Sequence, residues 1–178
     1  LLEKHFEELA ALISEENGKT MGEAKAEVSV SIEMAEFATS LPQLCVGEIE
    51  IVSRGVECRS EMHPLGVVAS ITPFNFPNMV PNWTIPNAIT LGNTMILKPS
   101  EQTPLSTNRI AELLAVAGLP EGVFNVVHGD RKAVEAICDH RDIQAISSVG
   151  STRVAKIIYK RASANLKRVL SLGCLLYK

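Results

Sequence analysis

Three short runs of this sequence place polar side chains beside residues that stiffen or open the backbone. In Thr72-Pro73-Phe74-Asn75-Phe76-Pro77 the two prolines cannot continue a strand ladder and make a rigid turn. The amide of Asn75, between two phenylalanines, can donate into a fixed low-dielectric spot and stabilise a developing oxyanion, a role worth about 3–4 kcal/mol of barrier. It can equally close an Asx turn on its own backbone. In Lys98-Pro99-Ser100-Glu101 a cation stands three residues before a carboxylate. The pair offers a donor and an acceptor to the vicinal hydroxyls of a ribose, or forms a surface ion pair worth under about 1 kcal/mol. In Val149-Gly150-Ser151-Thr152 a glycine permits close backbone approach, and a hydroxyl caps a helix whose free N–H groups can hold a phosphate. An ordinary serine cap reads the same way. The glycine-rich GxGxxG pattern is absent, so a dinucleotide site here would not follow that fingerprint.

The remaining candidates read as structure. His63, His128 and His140 lie at turns without ligand spacing, and Trp83, between Pro81 and Pro86, reads as core packing. Cys45, Cys58, Cys138 and Cys174 form no CxxC pair, so no metal site is expected and a reduced, cytoplasmic compartment is the default.

What must position the three runs is an alternating pattern. From Pro64 onward, β-branched apolar runs at 66–71, 94–97, 123–127, 143–149 and 168–172 alternate with helix-length segments at 78–91, 106–117, 132–139 and 152–162. Five strands separated by helices imply right-handed crossovers and a doubly wound α/β fold, with a mostly parallel, Rossmann-like five-stranded sheet covered on both faces. Ligands of such sheets bind beyond the carboxyl ends of the strands, where all three runs fall. Upstream, apolar periodicity predicts helices over 1–17 and 21–39, with Asn17-Gly18 stopping the first and Pro42 the second. Alternating residues on both sides of Arg54-Gly55 predict a β-hairpin. Its polar faces cannot form a core alone, so it is expected to lean on a neighbour or a partner subunit. The expected organisation is a helical arm (1–46), a protruding hairpin (47–62) and a sheet domain (63–178).

The 178 residues carry a net charge of −3, with 46% hydrophobic and 21% charged residues, a globular rather than disordered composition. No apolar run approaches a membrane span, and the start is not a cleavable signal, so no membrane partner is expected. Residues 1–60 carry 5 basic against 12 acidic side chains, whereas seven basic and no acidic residues follow Gly150. The overall acidity argues against a nucleic-acid partner.

Taken in order, the runs resemble the NAD-binding domain of the aldehyde dehydrogenase superfamily. The match is carried by Pro73-Phe74-Asn75-Phe76-Pro77, Gly92-Asn93-Thr94 with Lys98-Pro99-Ser100-Glu101, residues 118–127, and Val149-Gly150-Ser151-Thr152. Asn17-Gly18-Lys19-Thr20 and Glu36-Phe37-Ala38 extend it upstream. Phe rather than Trp at 74, Ile137-Cys138-Asp139-His140, and Ser171 in Leu170-Ser171-Leu172-Gly173 are similar to the methylmalonate-semialdehyde dehydrogenase branch, which makes an acyl-CoA from a semialdehyde with NAD.

The resemblance implies a role for each residue. Asn75 would donate to the oxyanion formed when a cysteine thiolate attacks the aldehyde. Lys98 and Glu101 would hold the adenosine ribose, with Thr72, Phe74 and Gln102 lining the same groove. Gly150 and Ser151 would meet the pyrophosphate, and Gly173 would border the nicotinamide end. Glu101 would favour NAD over NADP by repelling a 2′-phosphate. The hairpin resembles an oligomerisation element, so a homo-oligomer is expected.

Departures also carry meaning. Ser171 stands where many members have the glutamate that activates water, which favours transfer to CoA or marks a damaged site. Ala155 replaces a further glycine and is expected to narrow the pyrophosphate approach. None of the four cysteines matches the family's nucleophile motif, Cys174 included, and after Gly173 the likeness stops. The missing initiator Met points to an open left end, and the right end to a cut before the catalytic domain. The chain is therefore expected to be the inactive cofactor-binding part of a longer enzyme. The alternatives are a non-catalytic nucleotide-binding or interaction module docking through residues 1–62, or a truncated relic.

Overall fold

The structure is a computed structural model and describes residues 1–173. Helices α1 (Phe6–Asn17) and α2 (Met21–Thr39) form the arm, and a short α3 (Leu41–Leu44) follows. Gly18 ends α1 at φ +79°, the left-handed conformation that suits a glycine stop, and its N–H donates to the Ser14 carbonyl. Thr20 and Glu23 close a capping box that starts α2. Pro42 does not simply end the helical region: it sits in the first turn of α3, where a missing N–H costs nothing. Strands β1 (Glu48–Ser53) and β2 (Val56–Ser60) pair antiparallel around Arg54-Gly55, exposed along their full length.

The sheet consists of β3 (Val67–Ile71), β4 (Thr94–Lys98), β5 (Phe124–Val126), β6 (Ile143–Gly150) and β7 (Arg168–Gly173). All pair in parallel in the order β5-β4-β3-β6-β7, the alternating architecture that the sequence predicts. The chain first winds outward from β3 to β5, then crosses back to lay β6 against the other side of β3. Between Val67 and Val68 the β3–β6 register skips one residue, Gln144, so Ile143 and Ile146 both reach the same apolar cluster.

Of the connecting helices, α6 (Leu105–Val116), α7 (Arg131–Asp139) and α8 (Thr152–Ala164) lie within a residue or two of expectation. The predicted helix over 78–91 is instead two short ones, α4 (Met79–Asn82) and α5 (Ile85–Thr90), parted at Trp83-Thr84. Pro86 lies in the first turn of α5, and its ring would clash with the preceding turn if one helix ran through, so the helix restarts.

On one face of the sheet, Ala69, Ile71 and Ile146 pack with Ile137 and Cys138 of α7 and Ile158 and Ala162 of α8. On the other, Met95 and Leu97 pack with Ile85 of α5 and Ile110 of α6. The arm adds a further layer, in which Leu9, Ala10, Ile13, Ala24 and Val28 cluster with Leu113 of α6. Trp83, expected in the core, is half-buried beside Ala145, Ser147 and Leu170 on an open cavity of about 430 Å³. Among the described residues, no helix is long and apolar enough to cross a membrane.

Candidate functional site

Beyond the carboxyl ends of β3, β4 and β6, where the strand order reverses, lies a cavity of about 600 Å³ walled by α7 and α8. That is the position at which open α/β sheets take ligands. Thr72, Phe74, Lys98, Glu101, Gly150 and Ser151 all line it, although they come from three separate turns.

Each turn is fixed by the strand beneath it. The Thr72 N–H donates to the Lys98 carbonyl at 3.1 Å, which ties the turn after β3 to the end of β4. The Thr72 side chain is buried, and among the described residues its Oγ1 has no hydrogen-bond partner. A buried hydroxyl without a partner normally costs about 1–3 kcal/mol, so a ligand oxygen or a water in the cavity would satisfy it. Lys98 is nearly buried and its Nζ lies 3.0 Å from Glu101 Oε2, while the Glu101 carboxylate remains largely exposed. Its own backbone amide, then Lys98, hold the Glu101 carboxyl below its ordinary value, so at neutral pH it is an ionised acceptor.

Ser151 caps α8 by accepting from the Val154 N–H at 3.4 Å, so the capping geometry is present. At Gly150 an added Cβ would meet nothing within 4 Å, so the missing side chain leaves open space at the start of α8. One wall is apolar: Val134 and Cys138 of α7 line it with Val154, Ile157 and Ile158 of α8, a slot suited to a flat aromatic ring. Burial pushes the Cys138 thiol above its ordinary value. Arg161 braces this slot, bidentate to Asp139 at 2.6–2.9 Å and 3.3 Å from Glu135. That guanidinium holds the Asp139 carboxyl low, and Arg131 does so for Glu135.

The other predicted residues lie elsewhere. Gln102 is exposed outside the cavity lining, and its N–H donates to Ser100 Oγ at 3.2 Å. Gly173 and Ala155 border a separate pocket of about 350 Å³ with Ser171, Lys156 and Lys160, so Ala155 does not narrow the main cavity. Ser171 pairs with Ser148 across the β6–β7 register, Oγ to Oγ at 2.9 Å. Asn75 is exposed, not in a low-dielectric spot, and among the described residues its side chain makes no hydrogen bond, an Asx turn included. His128 bonds Asn108 Oδ1 at 2.8 Å, as a turn histidine does. Cys45 and Cys58 are exposed, and Cys174 lies outside the described residues. Among the described residues no three His, Cys, Asp or Glu side chains gather as a metal site.

Two contributions went unread in the sequence. The apolar stripe of α7 was a visible signal, but it reads equally as core. Glu27 gave none: it is buried in α2, yet accepts from the Asn78 and Met79 N–H groups at 2.8 and 3.0 Å, beside the Asn75 turn.

The sequence profile of the aldehyde dehydrogenase family matches residues 1–173. Over 175 residues the chain is 54% identical to malonate-semialdehyde dehydrogenase 2 of Oceanobacillus iheyensis, covering 97% of this chain and 36% of that protein. The crystal structure of methylmalonate-semialdehyde dehydrogenase from Oceanimonas doudoroffii superposes with a TM-score of 0.95 at 51% identity, covering 97% of this chain and 36% of the other. A Sinorhizobium meliloti protein described as a methylmalonate-semialdehyde dehydrogenase and complexed with NAD superposes with a TM-score of 0.94 at 44% identity, covering 97% and 35%. The chain thus spans about a third of the length of the relatives it matches.

Proposed function

The chain belongs to the aldehyde dehydrogenase family, and from that premise we propose that it forms the NAD-binding part of an enzyme that oxidises a short semialdehyde to an acyl-CoA. The observation that carries this is the cavity at the strand-order reversal, with the partnerless Thr72 hydroxyl and the open space at Gly150 inside it. Both features fit a phosphorylated, hydroxyl-bearing ligand. Lys98 and Glu101 would bind the ribose hydroxyls, and the Glu101 charge disfavours a 2′-phosphate. Gly150 and the amides behind Ser151 would receive the pyrophosphate, with the slot between α7 and α8 taking the adenine. Phe74 and Gln102 would flank the cofactor, and Gly173 would border its nicotinamide end. NAD supplies the hydride acceptor when bound. Asn75 would stabilise the oxyanion, and because its side chain makes no hydrogen bond among the described residues, its amide is available for that.

Transfer to CoA is favoured by Ser171, held by Ser148 where a water-activating glutamate would otherwise stand. The 178 residues alone are proposed to be inactive: Cys45 and Cys58 lie outside the cavity, and burial keeps the Cys138 thiol protonated. The exposed hairpin would pack against a second copy, giving a homo-oligomer, and the compartment is proposed to be cytoplasmic.

Calorimetric titration of NAD into the chain tests the reading. Glu101→Gln should weaken NAD binding about tenfold, the scale of one charge-assisted hydrogen bond. NADP should bind wild type less tightly than NAD. A wild-type dissociation constant beyond about 1 mM would sink the cofactor assignment. NADH formation above background with propanal, NAD and CoA would overturn the inactivity.

A further inference from the structure

The turn that carries Asn75 is held mainly from outside itself. Asn17 Nδ2 donates to the Phe74 carbonyl at 2.8 Å. The Lys19 ammonium lies 3.8 Å from the centroid of the Phe76 ring, within cation–π range. Glu27 Oε1 accepts from the N–H groups of Asn78 and Met79, while its Oε2 lies 2.6 Å from Lys19 Nζ. The backbone therefore meets the arm on both sides of Asn75, and the Asn75 side chain is left unbonded among the described residues. The Glu27 side chain is only 1% exposed, which such a carboxylate tolerates because one cation and two amides share its charge. Gly18 makes the arrangement possible: its left-handed φ of +79° reverses the chain between α1 and α2, so that Asn17 and Lys19 both reach the same turn.

We propose that Asn17, Lys19 and Glu27 form a clamp that sets the position of Asn75, and so act as positioning residues for the oxyanion donor. This rests on the reading of Asn75 given above. It also gives a task to the Asn17-Gly18-Lys19 run, which the cavity does not use.

The test is amide hydrogen exchange and the Asn75 side-chain NH₂ resonances, measured by NMR on the 178-residue chain and its variants. Glu27→Ala should speed exchange at Asn78 and Met79 about tenfold or more, the scale of a lost charge-assisted hydrogen bond, and move the Asn75 signals. Amides of Val67–Ile71 in β3 should keep their protection. Glu27→Gln retains a carbonyl oxygen for both amides and should restore their protection. Asn17→Ala removes one bond without stranding a buried charge, so it keeps the test open if Glu27→Ala fails to fold; it should move the Phe74 and Asn75 signals alone.

Unchanged Asn75 signals in Asn17→Ala, a loss of protection spread evenly over the sheet, or no rescue by Glu27→Gln would overturn the clamp. NAD titration of the same samples separates the two readings. A protected turn in a chain that does not bind NAD upholds the clamp while the cofactor reading fails; a turn unprotected in wild type refutes the clamp even where NAD binds.

Discussion

The helical arm and the hairpin both precede the sheet and share an acidic stretch of sequence, yet they meet the rest of the molecule in opposite ways. The arm buries Leu9, Ala10, Ile13 and Val28 completely, whereas the hairpin leaves Ile49 65% and Ile51 82% exposed. The polar side chains differ as much. Glu8 bonds Arg109 of α6 at 2.6 Å, and Glu16 accepts from the Leu105 and Ser106 N–H groups at 2.6 and 3.0 Å. No side chain of its own caps α6, so a carboxylate from 89 residues upstream occupies the cationic helix end. The same surplus of acid that reads as a solvated face is, in the arm, a set of partners for the sheet's connecting helices. In the hairpin it stays in solvent.

The sharpest way to break this contrast is in the arm core. Ile13→Ala should cost about 2–5 kcal/mol by cavity creation, read as a lower urea midpoint at unchanged slope; a negligible loss would make the arm a loose appendage. Glu16→Ala should cost about 1–2 kcal/mol, the range of a lost helix cap, with local exchange at Leu105 and Ser106 to identify the cause. Acid sharpens the contrast further. Hydrogen bonds from Arg109, then His5, hold the Glu8 carboxyl below its ordinary 4.5. A depressed folded value means that the contribution is complete above the unfolded value and is lost as pH falls through the folded one. Arg109→Ala should therefore destabilise the chain at about pH 6, with an effect that fades as pH falls through the lowered Glu8 value, checked by denaturation across that fall. Smallest of all, Ile51→Thr should change monomer stability by less than about 0.5 kcal/mol. An effect that grows with protein concentration in light scattering would instead mark the hairpin as a surface between copies.

How much of this could be read in advance follows from the range of each interaction. The five strands were legible because their β-branched runs and turn glycines are local signals, and Thr72, Lys98, Glu101, Gly150 and Ser151 were legible because each lies at or just beyond a strand end. The break at Trp83-Thr84 was written in Pro86, but an apolar segment of helical length outweighed it. Glu27 and Glu16 were not legible: their acceptor roles depend on chain 51 and 89 residues away, and nothing local separates them from solvated glutamates. Gln102, assigned to the groove by likeness of motif, falls outside the cavity lining because proximity in sequence does not fix which way a turn residue faces.

The strand order has a kinetic consequence. β3 pairs with β4 across the shorter crossover through α4 and α5, Val67 opposite Thr94, but with β6 only after the chain has travelled out to β5 and back, Val67 opposite Ile143. Closing the longer loop costs more entropy before any pairing rewards it. During synthesis, α1, α2 and the β3-β4-β5 half can assemble while β6 is still unmade. The groove is thus completed by the last half of the sheet to arrive, so the cofactor's own binding energy would bear on the late-forming seam rather than on the part that folds first.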